Sequence, residues 1–288
     1  MLNRFKPDPL PAINPVPEYR AEGRKKELYE DTKRVLQVPW MGVVTMALSH
    51  YQDFYEVFWQ AVRPIMASQE GVNACRLLRS EIETDVLELD PPKRLGSLRD
   101  LGYAPREIEN LKDAVEVFSH GNFFYTMMAT LSRLALESNE FPAPSPGSRI
   151  EQQHAPDVSV PFVLMEEHHA DDPTRELYSS IRKSLGLPFV NTDYRALARW
   201  PSYFRLAWND LAAVIPTREY EAIVTKLHER FIDQAIRLPN PTGTTAQQLR
   251  KAADESGAVD EVLAVNQLFQ WLLPGLITNV AFFRQQLH

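Results

Sequence analysis

The residue of this chain best suited to chemistry is an aspartate inside an apolar segment. Asp193 is followed by Tyr194, Ala196, Leu197 and Trp200. A carboxylate on the inner side of that segment would be desolvated, its pKa raised, and it could serve as a general base. The plain alternative is a helix cap. The segment leaves the Leu187-Pro188-Phe189 turn for a short helix, and Asp at an N-cap or first helical position is common. Asn122 comes second. It stands in His120-Gly121-Asn122, predicted to be a break between two apolar helices, where glycine permits unusual backbone. Its amide offers a donor and an acceptor, suited to fixing a water; the alternative is again a cap, and an expected counterpart in the second half, Asn266, weighs against a special role for Asn122. Trp40, Tyr125 and Thr192 are further pocket candidates, although aromatic residues at helical spacing more often serve the core.

Other chemistries find little support. Glu166-Glu167-His168-His169-Ala170-Asp171-Asp172 has the composition of a metal site. Neighbours in a helix do not face one point, however, and HExxH spacing is absent. The end of the run, Asp172-Pro173-Thr174, reads better as a helix start. No GxGxxG, phosphate loop or GxSxG occurs, so no nucleotide, metal or other cofactor is expected. The single cysteine, Cys75, excludes an internal disulfide and a CxxC pair. With Ala74, Leu77 and Leu78 around it, it reads as a buried structural thiol.

The elements that must position Asp193 and Asn122 are helical throughout. Five prolines between Pro7 and Pro17 make residues 1–24 an extended arm. Apolar spacing predicts helices over Lys25–Gln37, Met41–Ser49, Phe54–Met66 and Val72–Leu87. Another is predicted from Ala104-Pro105, with proline in its first turn, then Phe123–Leu136. Residues 138–173 form a linker, rich in Pro, Ser and Gly over its first part. Thr174–Leu185, Thr192–Arg199, Tyr203–Ile215 and Thr217–Leu238 follow, the last capped by Thr217. Thr244 or Thr245 caps the next helix, and Val259–Gln286 closes the chain, with Pro274 inside it as the expected source of a kink. No period-2 strand is evident, so the fold class is all-α.

Composition is ordinary for a soluble globular protein: 44% hydrophobic, 24% charged, net charge −7. No basic stripe invites nucleic acid. No apolar run is long enough to span a membrane and no signal-peptide pattern opens the chain, so the expected compartment is cytoplasmic.

The chain also contains itself twice. At an offset of 149 residues, Glu27-Leu28-Tyr29 meets Glu176-Leu177-Tyr178, Leu36 meets Leu185, Pro39 meets Pro188, Ala47-Leu48 meets Ala196-Leu197 and Trp59 meets Trp208. The organisation expected is an arm (1–24), a first repeat (25–137), a linker (138–173) and a second repeat (174–288). The two repeats are expected to be related by a pseudo-two-fold axis. Under this register Val44 faces Asp193, so the chemically useful position differs between the copies.

Taken in order, Val38-Pro39-Trp40, Gly121-Asn122 with Tyr125, Thr192-Asp193-Tyr194 with Ala196-Leu197, and Trp200-Pro201 resemble the group I, configuration-inverting 2-haloacid dehalogenases. The resemblance covers most of the chain. It implies an all-α fold of two repeats with the active site between them, usually in a homodimer, and a small 2-haloacid of D or L configuration and water as reactants. An aspartate matching Asp193 would activate water, assisted by an asparagine matching Asn122. That water would displace halide from C2 with inversion and without an ester to the enzyme. Trp40, Tyr125 and Thr192 match residues of the pocket. Phe269 stands where the family pattern has a tyrosine in the last helix. Two other readings compete. A non-catalytic helical protein binding a small acid or a partner would make Asp193 an exposed cap. A helical redox protein would need a vicinal cysteine pair, which a chain with Cys75 alone lacks.

Overall fold

The computed structural model describes residues 2–150, 152–158, 160–257 and 259–288, and among these it contains helices and no strand. Met1, Glu151, Ser159 and Ala258, which belong to the expected arm, linker and second repeat, lie outside the described residues. The helices are α1 (Gly23–Leu36), α2 (Val43–Leu48), α3 (Gln52–Met66), α4 (Gln69–Asp85), α5 (Leu95–Asp100) and α6 (Pro105–Arg133), then α7 (Asp172–Leu185), α8 (Thr192–Leu197), α9 (Pro201–Val214), α10 (Arg218–Ala235), α11 (Ala246–Glu255) and α12 (Val259–Gln286). The short α5 was not expected; it buries Leu98 alone, too little to leave a periodic signal.

Two units are drawn from these helices. One comprises residues 1–81, 120–155 and 225–276; the other comprises 82–119, 156–224 and 277–288. In the first, α3 packs on α1, α2 and α11. Its apolar positions explain why: Phe54, Phe58, Ala61, Val62 and Ile65 recur at i, i+3, i+4 spacing and are buried. Each large side chain so buried stabilises by about 1.5–3 kcal/mol. In the second unit α7 packs on α9. Asp171 caps α7, its carboxylate accepting from the Thr174 amide at 2.9 Å, and Pro173 lies in the first turn.

The elements recur at the same offset as the sequence. Gly23 and Asp172 open α1 and α7, Val43 and Thr192 open α2 and α8, and Gln52 and Pro201 open α3 and α9. Individual bonds recur too. The Tyr29 hydroxyl donates to the Val16 carbonyl at 2.9 Å, and that of Tyr178 to Met165 at 2.7 Å. The Val16 amide donates to the Met46 carbonyl and the Met165 amide to that of Arg195. Trp59 Nε1 donates to Asp31 and Trp208 Nε1 to Ser180. Both α1 and α7 end on a left-handed residue, Gln37 (φ 53°) and Gly186 (φ 61°).

One predicted break is absent. His120-Gly121-Asn122 lies within the unbroken α6, and Gly121 does not take a positive φ. Glycine is there for closeness: a Cβ at Gly121 would stand 2.4 Å from Trp40 Cη2 and 2.9 Å from Val38 Cγ1. The backbone needs room for an indole, not an unusual torsion. The helix continues because Phe118, Phe123, Phe124, Tyr125, Met127, Met128 and Leu131 are all buried. A helix apolar on every side survives one glycine when the core holds it. A π-turn, Leu134–Ser138, follows α6 directly.

Among the described residues before α1 the chain forms no helix apart from a 3-10 turn at Glu18–Arg20. This arm is tied to its own unit. Leu2 is buried and its carbonyl accepts from His228 Nε2 at 3.0 Å; the Asn3 carbonyl accepts from the fully buried Arg133 at 3.2 Å. Among the described residues no helix is long and apolar enough to cross a membrane.

Candidate active site

Asp193 is the second residue of α8 and is 3% exposed. It is not the cap. Asn191 holds that position, and its side chain makes no capping bond. Both the N-cap reading and the exposed-cap reading of Asp193 therefore fail. The reason lies in the register of α8: Thr192, Asp193, Tyr194, Ala196 and Leu197 are all buried, so nearly the whole short helix is sunk in the protein. Val44 occupies the same second position in α2 and is also buried. A carboxylate has replaced an aliphatic group at an interior site, which costs stability unless the charge is compensated.

Next to Asp193 a chain of buried hydrogen bonds braces α8. Asn279 of α12 donates from Nδ2 to the Tyr194 hydroxyl at 2.8 Å, and the Tyr220 hydroxyl donates to Asn279 Oδ1 at 2.8 Å. The Tyr194 ring is walled by Phe204, Trp208 and Phe283 at centroid distances of 6.1, 5.7 and 6.4 Å. Burial holds the Tyr194 phenol well above its ordinary range, so it stays a neutral hydrogen-bonding group. The brace fixes the residue that follows Asp193, and with it the backbone that carries the carboxylate.

Two further polar groups lie beside Asp193 in sequence. Thr192 Oγ1 accepts from Arg195 at 3.4 Å, and Arg195 is anchored by Glu166 at 2.7 and 2.8 Å. Asn191 is 7% exposed, and its Oδ1 has no hydrogen-bond partner among the described residues. A buried acceptor without a partner is costly and suits a water or a ligand that brings a donor. In the metal-like run, Glu166 pairs with Arg195 and Glu167 with Arg182, so two of its carboxylates are engaged by arginines.

The other unit carries Trp40, Asn122, Tyr125 and Phe269, all buried. Tyr125 donates its hydroxyl to the Trp40 carbonyl, and the two rings lie 5.7 Å apart at 60°. Gly42 meets the face of Tyr125, where a Cβ would stand 2.7 Å from the ring. With Gly121 against the tip of Trp40, two glycines let the backbone close on two aromatic rings. Asn122 lies three residues before Tyr125 on α6, so the two share a helix face. The Asn122 carbonyl accepts from Thr126 Oγ1 at 2.7 Å. Phe269 lies in α12 at 1% exposure. Cys75 is buried, and burial drives its thiol far up, which leaves it inert.

Asn279, Tyr220 and Asn191 escaped the sequence reading. The signals were a lone amide in the apolar run Leu276–Phe283 and the replacement of Thr45 by Tyr194 at the shared register. Each is weak until the fold shows what the side chain meets.

A desolvated, braced carboxylate in an all-helical protein is the equipment of a helical acid–base enzyme. The comparisons give the particular kind. No family model matches the chain. It is 42% identical over 243 residues to an (R)-2-haloacid dehalogenase of Rhizobium sp. (strain NHG3), covering 83% of this chain and 93% of that protein. It is 33% identical over 282 residues to an (R)-2-haloacid dehalogenase of Pseudomonas putida, covering 95% and 92%. A configuration-inverting 2-haloacid dehalogenase of Pseudomonas sp. (strain 113) is 25% identical over 226 residues, covering 74% and 71%. Among solved structures, a D-2-haloacid dehalogenase with L-LA matches over the whole of both chains at 31% identity and TM-score 0.84. A mutant of a D-2-haloacid dehalogenase with D-2-CPA matches at 30% identity and TM-score 0.84, over 100% of this chain and 99% of that one. The chain belongs to the 2-haloacid dehalogenase family. It is an enzyme of hydrolytic dehalogenation, with an all-α fold.

Proposed function

We propose that this enzyme converts a small 2-haloacid to the 2-hydroxy acid of opposite configuration by direct attack of water at C2, with Asp193 as the base. Water is a poor nucleophile at carbon, so a base must take its proton as the new C–O bond forms. The C–halogen bond breaks as the C–O bond forms, the halide leaves with the bonding pair, and Asp193 passes its proton to solvent. Asn122 holds the same water through its amide. Trp40, Tyr125, Thr192 and Phe269 line the substrate pocket, where dry aromatic walls strengthen the hydrogen bonds to the substrate carboxylate.

The observation that carries this reading is the burial of Asp193 at a helical position whose counterpart is the aliphatic Val44. Opposite stereodescriptors on the neighbours' ligands, D-2-CPA and L-LA, support inversion. The test is halide release from separate D- and L-2-chloropropionate, with wild type beside Asp193→Asn and chiral analysis of the product. The expected outcome is L-lactate from the D substrate, with turnover lost by at least ~10³-fold in the variant. Activity surviving in a folded Asp193→Asn protein would overturn the assignment. Release from both enantiomers would extend the range to D and L substrates.

We further infer a homodimeric, cytoplasmic protein whose residues 25–137 and 174–288 are two copies of one plan. Recurrence of helix boundaries and hydrogen bonds at the 149-residue offset supports the two copies. The homodimer rests on the family resemblance, and light scattering of the purified protein checks it. The compartment rests on the sequence pattern, and cell fractionation checks it.

A further inference from the structure

Between α4 and α6 lies a cavity lined by Arg76 and Arg79 of α4, by His120, Phe123 and Phe124 of α6, and by His154. Its volume is about 70 Å³. That is room for a monatomic ion with a water, since one water occupies ~30 Å³ of liquid, and too little for a substituted carboxylic acid. Every ionisable side chain on its wall, apart from the inert Cys75 thiol, is an arginine or a histidine. Such a wall stands out in a chain of net charge −7.

The two imidazoles are built in. His120 Nε2 donates to the Leu36 carbonyl at 3.0 Å and His154 Nε2 to that of Val35 at 3.3 Å. The His120, Phe124 and His154 rings lie 5.1–5.3 Å from one another. Because Nε2 carries the hydrogen in each, Nδ1 is left as a lone pair in the neutral ring. His154 is 8% exposed, and its Nδ1 has no hydrogen-bond partner among the described residues. Burial and the neighbouring arginines both work against charge on these rings. For His120 burial comes first, with His154, Arg79 and Arg76 adding to it; for His154 burial comes first and then Arg76.

Nδ1 of His154 stands beside two arginines: water can satisfy its lone pair by donating one hydrogen bond, a cation is repelled by the guanidinium charges, and an anion meets the lone pair unless a proton comes with it. A halide entering with one proton resolves it. The proton takes Nδ1 of His154, the resulting N–H donates to the ion, and the arginines and the positive edges of Phe123 and Phe124 complete the shell. We propose that this cavity is a proton-coupled halide site, separate from Asp193, which can take the halide the enzyme itself releases. No covalent step is involved: one halide and one proton enter together.

The decisive experiment combines bromide anomalous diffraction at pH 5.5 with chloride-35 NMR line-broadening titrations from pH 5.5 to 7.5. Bromide is expected in the cavity within hydrogen-bond distance of His154 Nδ1. Binding should tighten by up to tenfold for each unit of pH lowered, as uptake of one proton per ion requires. Arg76→Met, at an exposed position where folding is not at risk, should weaken the site at least fivefold. His154→Leu, checked for folding by circular dichroism, should abolish the pH dependence. A cavity empty of bromide, pH-independent binding, or binding untouched by Arg76→Met would each overturn the proposal. Bromide found beside the Asp193 carboxylate and not among Arg76, Arg79 and His154 would also overturn it.

Discussion

Asp193 and Gly121 show how one residue is read differently by its sequence and by its surroundings. Asp193 has the type of a helix cap but the burial of a core residue, and burial is what the proposed role of base requires. Gly121 has the type of a helix breaker, yet it sits in the interior of α6 because Trp40 needs the space. This gives a sharp expectation. In an ordinary helix interior Gly→Ala gains about 1 kcal/mol. Here Gly121→Ala should instead lose roughly 1–3 kcal/mol, because the new methyl meets the far end of a buried indole. Displacing Trp40 from Tyr125 should also raise KM for the haloacid. Urea unfolding and steady-state kinetics read both effects, and a variant more stable than wild type would show that the close approach is not what Gly121 serves. The need for glycine was visible in the sequence; its cause was not, because Val38 and Trp40 lie more than 80 positions away.

At the scale of elements, the short helices are the least self-sufficient and the most informative. Six residues make too few internal hydrogen bonds to hold a helix in water, so α8 exists because the fold grips it. Part of that grip is Tyr220–Asn279–Tyr194. Asn279→Leu keeps the volume close and removes both of these buried hydrogen bonds, for a cost of about 1–3 kcal/mol. If the brace positions Asp193, kcat should fall at least tenfold while KM changes little. A loss of stability with kcat intact would make Asn279 a core residue and nothing more. Helix boundaries in the longer elements were largely legible from apolar spacing, prolines and caps: α11 starts on a Thr245–Gln248 capping box. The short α5 leaves no periodic signal, and α6 runs through the break that Gly121 predicts because the apolar residues on both sides of the glycine hold it in the core.

Across the whole molecule, acid should be the most revealing stress. Burial pushes the His120 imidazole down to about 4 and lowers that of His154 too, whereas an unfolded chain titrates near 6.5. Between pH 6.5 and about 4 the unfolded state therefore binds more protons than the folded one. Stability should be complete above pH 6.5 and fall as the pH drops through that window, with His120 accounting for up to roughly 3 kcal/mol. Thermal melts in a non-coordinating buffer from pH 7.5 to 4.5 measure this, and His120→Gln should flatten the curve. Bromide should blunt the acid loss if the halide site exists, because an ion bound only to the folded state raises stability.

By itself the sequence determined that the chain is all-helical, and it matches residue types at an offset of 149, where Asp193 stands against Val44. These are properties of local spacing, caps and pairwise register, carried by residues near one another in the chain or matched by type. The tertiary structure alone decided which side chains are dry and what each one meets. It put Trp40 against Gly121, Asn279 against Tyr194 and Tyr220, and His120 beside His154 and Arg76. Burial and long-range hydrogen bonding depend on distance in space, and contacts between residues 30 to 85 positions apart leave no periodic trace in the chain.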